Sequence, residues 1–185
     1  MSEVVQTSPD ESAEQTERRR AALRQVRVFG DPVLREKAQP VTSFDGELAK
    51  LAERMTGIMR DAPGIGLAAT QVGVVRRLLV YRVEDAAHSL VNPVVEAATD
   101  ETEISEEGCL SVPGIVVPVE RPLVVDVRAQ DLHGERLEFT AEGLEARVIQ
   151  HELDHLDGVR IIDRTTRQER ARALRALREG ELSRV

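Results

Sequence analysis

The chain has 185 residues, 33 acidic side chains, 25 Lys or Arg side chains, a formal net charge of -8 and one cysteine. This length suits one domain, the acidic balance argues against nucleic acid as an obligate partner, and one cysteine excludes a disulfide within the chain. No apolar run suggests a signal peptide or a membrane span, so we expect a cytoplasmic protein with no membrane partner.

The first predicted elements are a polar tail and an amphipathic helix. Residues 1–24 carry few large apolar side chains, which predicts a flexible tail with at most a short helix over residues 17–23. Between residues 43 and 62 the apolar residues recur at helical spacing, with Asp45 placed as the N-cap and Pro63-Gly64 at the end. This pattern predicts a helix that faces the core.

The central part of the chain has the pattern of strands. Short β-branched runs between turn residues predict strands at 78–83, 91–97, 115–119, 123–129 and 136–140, with a hairpin turn at 131–134. Thr140 is placed to cap a second helix, which carries two histidines. A last helix is predicted over residues 166–179, with Gly180 as its stop. We therefore divide the chain into a tail (1–24), a catalytic domain (25–165) and a helical extension (166–185).

Residues 151–155 read His-Glu-Leu-Asp-His, which places two imidazoles four residues apart on one helix face. There they can share one metal ion. Glu152 lies about 100° further round the helix, where it can contact a metal-bound water as a general base. The alternative is an amphipathic helix with two surface histidines. The chain has only four histidines, and two of them form this pair, which weakens that alternative.

Two histidines leave the metal short of a third protein ligand. Cys109 is the first candidate, because a thiolate binds soft and borderline metals well, although a lone cysteine is more often a small buried hydrophobe. The rival is a carboxylate, Glu169 or Glu179, as in zinc endopeptidases. Residues 64–71, Gly-Ile-Gly-Leu-Ala-Ala-Thr-Gln, combine small residues with one amide that can donate a hydrogen bond to an oxyanion.

Three segments, in this order, resemble the signature motifs of the peptide deformylases: GIGLAATQ at 64–71, EGCLS at 107–111 and QHELDH at 150–155. The resemblance covers roughly residues 27–164. It implies an α+β fold in which antiparallel β-sheets wrap around a central metal-binding helix, with an N-terminal helix and a C-terminal helix.

The resemblance also implies an activity. The enzyme would remove the formyl group from the N-terminal formyl-methionine of newly synthesised proteins and release formate. Its metal ligands would be Cys109, His151 and His155, with Fe(II) as the native metal. The same ligand set is compatible with Zn(II), Ni(II) or Co(II).

By the same resemblance, Glu152 is the base, while the side-chain amide of Gln71 and the backbone N–H of Leu110 stabilise the oxyanion. The expected substrate-binding residues are Gly64, Ile65, Gly66, Leu144 and Val148. Apart from the resemblance, Arg147 is expected either to reach the rim of the cleft or to pair with an acid such as Glu107, and Arg121 is a second candidate partner of Glu107.

The expected partners are nascent formyl-methionyl polypeptides and, through the arginine-rich segment 160–178, the ribosome surface. We expect a monomer. The alternative class is a non-catalytic metal-binding or ribosome-associated module, which would leave Glu152 and Gln71 unexplained.

Overall fold

The structure is a computed structural model that describes residues 13–84 and 86–182. Within these residues it contains four α-helices, namely Ala13–Leu23 (α1), Gly46–Asp61 (α2), Gly143–Leu156 (α3) and Arg167–Leu182 (α4). The strands are Gly66–Ala68 (β1), Leu78–Val83 (β2), Ala86–Ala98 (β3), Thr102–Gly108 (β4), Val116–Pro122 (β5), Val124–Gln130 (β6) and Arg136–Glu142 (β7).

The strands form two antiparallel sheets around helix α3. One sheet has the order β1-β2-β3-β6-β7, and the other is the β4-β5 hairpin. One side of α3, with Ile149, Leu153 and Leu156, packs into a core cluster with the apolar face of the larger sheet. Its other side bonds to the hairpin, for example through Gln150, which donates to the Pro122 carbonyl (3.1 Å). The predicted α+β fold with sheets around a central helix is confirmed.

Helix α2 follows its sequence signals closely. The Asp45 side chain accepts hydrogen bonds from the backbone N–H groups of Glu47 (3.0 Å) and Leu48 (3.1 Å), which satisfies two of the unpaired donors at the helix start. The apolar face is buried, including Met55 and Met59. The predicted core-facing helix is therefore confirmed.

The N-terminal segment differs from the predicted tail. Residues 1–12 lie outside the described residues, but residues 13–23 form helix α1. Ala22 is 3% exposed and shares a core cluster with Val26 and Ile58. A small side chain lets α1 approach α2 closely, so packing stabilises a helix whose composition gave little sign of it.

The predicted strands are present, β2 with its predicted ends and the others with shifted ends, but β1 and β4 were not predicted. Thr140 does not cap α3: it lies in β7 and donates to Asp126 (2.7 Å), while Glu142 occupies the N-cap position. Helix α4 continues past Gly180 to Leu182, because one glycine costs a helix only about 1 kcal/mol. Among the described residues, no helix is both long and apolar enough to cross a membrane.

Candidate metal centre

Helix α3 and the end of β4 bring three potential metal ligands together. His151 and His155 lie one turn apart on α3, and Cys109 directly follows β4. The Cys109 Sγ lies 3.2 Å from the His155 Nε2, and one donor atom from each of the three residues lies within 4.8 Å of the others. One thiolate with two imidazoles is a donor set suited to a divalent transition metal. The three predicted ligands therefore form a group that fits such an ion.

The surroundings of Cys109 favour the thiolate that a metal requires. Desolvation alone would raise the pKa of the thiol, but the adjacent His155 and His151 imidazoles outweigh it and hold this pKa well below its usual value. The backbone N–H of Ser111 also donates to the sulfur (3.4 Å). The cysteine is thus more than a small buried hydrophobe.

Glu107 orients one of the histidines. The His151 Nδ1–H donates to the Glu107 carboxylate (2.9 Å), which leaves Nε2 of the ring available to a metal. Arg121 holds the same carboxylate through two bonds (2.6 and 2.9 Å), and Arg147 donates to it as well (2.9 Å). Burial would raise the pKa of Glu107, but the hydrogen bonds from Arg121 and His151 lower it to about 2. Both expected partners of Glu107 are confirmed.

A second carboxylate completes a buried ionic network that the sequence analysis missed. Asp154 accepts from Arg121 (2.9 Å) and from Arg164 (2.5 Å for the shortest bond). Arg121, itself 4% exposed, therefore bridges Glu107 of β4 and Asp154 of α3. The only available signal was the acidic residue within the histidine motif, and its position did not identify a partner.

Glu152 lies in the cleft next to the donor group. Its side chain is buried, and among the described residues its Oε2 has no hydrogen-bond partner. Burial raises the pKa of Glu152 to about 6, close to the value at which a general base works best at neutral pH. A Cβ placed on Gly66 would lie 2.9 Å from two carbons of this side chain and closer still to its Oε1. Glycine at position 66 is therefore what lets β1 approach the carboxylate.

Gln71 directs its amide group into the site. Its Oε1 accepts from the Ala68 N–H (2.7 Å), which fixes the amide so that Nε2 points toward the Ser111 Oγ (3.3 Å) and the Cys109 Sγ (3.6 Å). Leu110, the other predicted oxyanion donor, directly follows Cys109 and lines the same cleft. The arrangement places an N–H donor beside the donor group.

A cleft of about 720 Å³ opens over this group. It is lined by all the predicted substrate-binding residues, Gly64, Ile65, Gly66, Leu144 and Val148. Two of their side chains are apolar and open, since Ile65 is 43% exposed and Leu144 is 59% exposed. Arg19 and Leu23 of α1 also line the cleft. Neither residue was predicted to line the cleft, because both belong to the segment assigned to the tail.

The rival ligands lie elsewhere. Glu169 is near the start of α4, where it accepts a hydrogen bond from Arg172 (2.8 Å). In the described part of the chain, neither Glu169 nor Glu179 belongs to the group around Cys109. The zinc endopeptidase alternative therefore has no support in the geometry.

Comparison with known proteins agrees with this site. A family model described as polypeptide deformylase matches residues 23–171. The chain is 53% identical over 139 residues to a peptide deformylase of Thermotoga neapolitana, covering 75% of this chain and 85% of that protein. It is 46% identical over 160 residues to a peptide deformylase of Acidothermus cellulolyticus, covering 86% and 88%.

Solved structures give the same result. A crystal structure of the peptide deformylase from Thermotoga maritima has a TM-score of 0.75 at 50% identity and covers 76% of this chain and 96% of that one. A peptide deformylase from Synechococcus elongatus in complex with actinonin has a TM-score of 0.79 at 41% identity, covering 82% and 85%. The matched residues 23–171 include the whole donor group and, apart from Arg19, the residues that line the cleft around it. The chain therefore belongs to the polypeptide deformylase family.

Proposed function

We propose that Cys109, His151 and His155 bind one divalent metal ion and that Glu152 is the general base beside it. The activity is that of a metal-dependent hydrolase, which removes the formyl group from the N-terminal formyl-methionine of newly synthesised proteins. The observation that carries the proposal is the buried Glu152 carboxylate next to a Cys-His-His donor group; the Oε2 of this carboxylate has no hydrogen-bond partner within residues 13–84 and 86–182.

The metal would supply Lewis acidity, which lowers the pKa of water and polarises a carbonyl group. We infer that Fe(II) is the native ion and that Zn(II), Ni(II) or Co(II) can replace it. The support is the mixed sulfur and nitrogen donor group, which accepts all four ions. Because Zn(II) binds such sites more tightly than Fe(II), the ion found after purification reflects availability as well as affinity.

Glu152 has the environment of a group that moves a proton twice. With its pKa raised to about 6, its carboxylate accepts the proton of the water that attacks the formyl carbon. The protonated acid then donates this proton to the amine nitrogen as the C–N bond breaks, which gives formate and a free amine. The formyl oxygen gains negative charge during the attack of the water, before the C–N bond breaks. The Nε2–H of Gln71 and the backbone N–H of Leu110 are the donors that we assign to it.

The substrate methionine fits the apolar part of the cleft. Ile65 and Leu144 supply exposed apolar surface beside the largely buried Val148, and covering this surface is favourable. Gly64 and Gly66 line the same cleft, and a Cβ on either glycine would meet the side chain of Leu110 or Glu152, respectively. These five residues are the substrate-binding set that we propose.

The wider setting follows from the substrate. Nascent formyl-methionyl chains emerge from ribosomes, so we propose a cytoplasmic enzyme that contacts the ribosome surface. Exposed arginines on α4, such as Arg167, Arg175 and Arg178, support contact with phosphate. We propose a monomer, because one chain supplies all the residues of the site. Salt-sensitive co-sedimentation with ribosomes and light scattering test the two proposals.

The decisive experiment uses Glu152→Gln, purified without oxygen. An amide cannot accept the proton of water, so we expect unchanged metal content and a loss of turnover on formyl-Met-Ala-Ser of about 10²- to 10⁴-fold. Glu145→Gln is the matched control, because Glu145 lies on the same helix but accepts a hydrogen bond from Tyr81 (2.8 Å). Loss of the metal in Glu152→Gln, or near-normal turnover, contradicts the role of Glu152.

A further inference from the structure

We propose that helix α1 forms one wall of the substrate cleft and that Arg19 raises the preference for formylated peptides with acidic residues soon after methionine. The inference rests on the proposed deformylase function. Its starting point is that Arg19 and Leu23 line the same cleft as Cys109 and Glu152. Helix α1 almost entirely precedes the part of the chain that matches the family model, which begins at residue 23.

Helix α1 is held in place from several sides. Ala22 is buried against the core cluster that includes Ile58 of α2. Just beyond the helix, Gln25 accepts a hydrogen bond from Arg54 of α2 (3.2 Å). Further along the chain, the Arg27 N–H donates a hydrogen bond to the Gln71 carbonyl (2.7 Å). The position of α1 is thus coupled to the segment that carries the oxyanion donor.

The spacing of the two lining residues gives α1 a defined cleft face. Residues four apart lie on the same side of a helix, so Arg19 and Leu23 face the cleft together while Ala22 packs inward. Leu23 is 38% exposed and lies near the segment at Pro63 and Gly64, which also lines the cleft. The wall therefore offers one apolar and one cationic side chain to a peptide that leaves the methionine pocket.

Arg19 is the cation of this wall that a peptide can reach. The other arginine that lines the cleft in the described residues, Arg147, donates to the Glu107 carboxylate and to the carbonyls of Val119 (3.1 Å) and Glu103 (2.8 Å). Arg19 is exposed and lines the cleft from α1, whereas the Arg147 side chain is 13% exposed. Glu106 also lines the cleft, and its negative charge disfavours acidic peptides. The effect of Arg19 is therefore measured as the change in the preference for acidic over basic peptides when Arg19 is replaced.

The experiment compares three peptides: formyl-Met-Ala-Asp-Asp-Ser, formyl-Met-Ala-Lys-Lys-Ser and the neutral formyl-Met-Ala-Ser-Ser-Ser. Two successive charges are used because neighbouring side chains of an extended peptide point to opposite sides. The measured quantity is the ratio of kcat/KM for the acidic peptide to that for the basic peptide. Arg19→Glu is expected to lower this ratio by about two- to tenfold, the range for a gained repulsion and a lost attraction at an exposed site.

Arg20→Glu is the matched control, since it makes the same charge change on the same helix at a residue outside the cleft lining. It is expected to leave the ratio unchanged, and 1 M salt is expected to shrink the Arg19→Glu effect by screening. An unchanged ratio in Arg19→Glu, or an equal change in Arg20→Glu, overturns the role of α1 while the deformylase function stands. If the parent releases no formate even from the neutral peptide, the proposed function is wrong and the inference falls with it.

Discussion

Replacing Gly66 by alanine tests whether the position of the Glu152 carboxylate limits the reaction. A Cβ at this position would lie 2.9 Å from both Cγ and Cδ of Glu152. Carbon atoms in contact normally lie about 3.5–4.0 Å apart, so one of the two groups must move by about 1 Å. Glu152 is 4% exposed but lines the cleft, so its side chain is the group expected to shift. A displacement of this size at a reacting group costs a rate factor of about 10².

We therefore expect Gly66→Ala to fold, to keep its metal and to lose about 10²-fold in kcat/KM for formate release from formyl-Met-Ala-Ser. Metal content and the thermal melting curve are measured on the same sample. Gly57→Ala is the control: a Cβ there meets no other group within 4 Å, and alanine within a helix adds about 0.5–1 kcal/mol of stability. If Gly66→Ala keeps kcat/KM within about twofold of the parent, the carboxylate tolerates displacement and the reasoning is refuted.

Three further outcomes are expected. Cys109→Ala should lose most of the metal and the activity, because it deletes the anionic donor. Glu169→Ala should keep both, and the reverse result would favour a carboxylate as the third ligand. Arg121→Met leaves Glu107 and Asp154 without their shared partner and should lower the free energy of unfolding by about 3 kcal/mol in urea titrations; a change below about 1 kcal/mol would argue against a stabilising network. The Fe(II) form should lose formate release in air while the Ni(II) form keeps it, because iron and its thiolate ligand are both open to oxidation; an air-stable iron form contradicts this.

Local signals predicted the elements whose conformation depends on local contacts. Helix α2 could be predicted because its cap at Asp45 and its apolar spacing act within a few residues of each other. Strand β4, with the sequence Thr-Glu-Ile-Ser-Glu-Glu-Gly, has few strand-forming residues and is a strand because it pairs with β5 along its whole length. Helix α1 was also hard to predict from local sequence, because its burial depends on a partner helix that follows it in the chain. Such tertiary effects override local propensity.

The same distinction holds for the site. The spacing of His151 and His155 predicted a shared helix face, because four residues make about one helical turn. Cys109 was singled out by its rarity and by the motif resemblance, and the structure brings it to the two histidines. The contact of Arg121 with Asp154 could not be predicted in the same way, because it joins residues far apart in the chain and the place of Asp154 in the histidine motif does not identify its partner.

The bridge that Arg121 makes between two carboxylates bears on how this protein can change over evolutionary time. A neutral side chain at position 121 removes the cation that two buried carboxylates share and leaves Glu107 with Arg147 and Asp154 with Arg164, whereas loss of either acid deletes one of the two anionic partners of Arg121. Substitutions at positions 107, 121 and 154 are therefore strongly non-additive. An ancestral or engineered sequence that replaces this trio by apolar residues has to change all three positions together and must find a new acceptor for the His151 ring. We therefore expect the supporting residues around the donor group to change as a set.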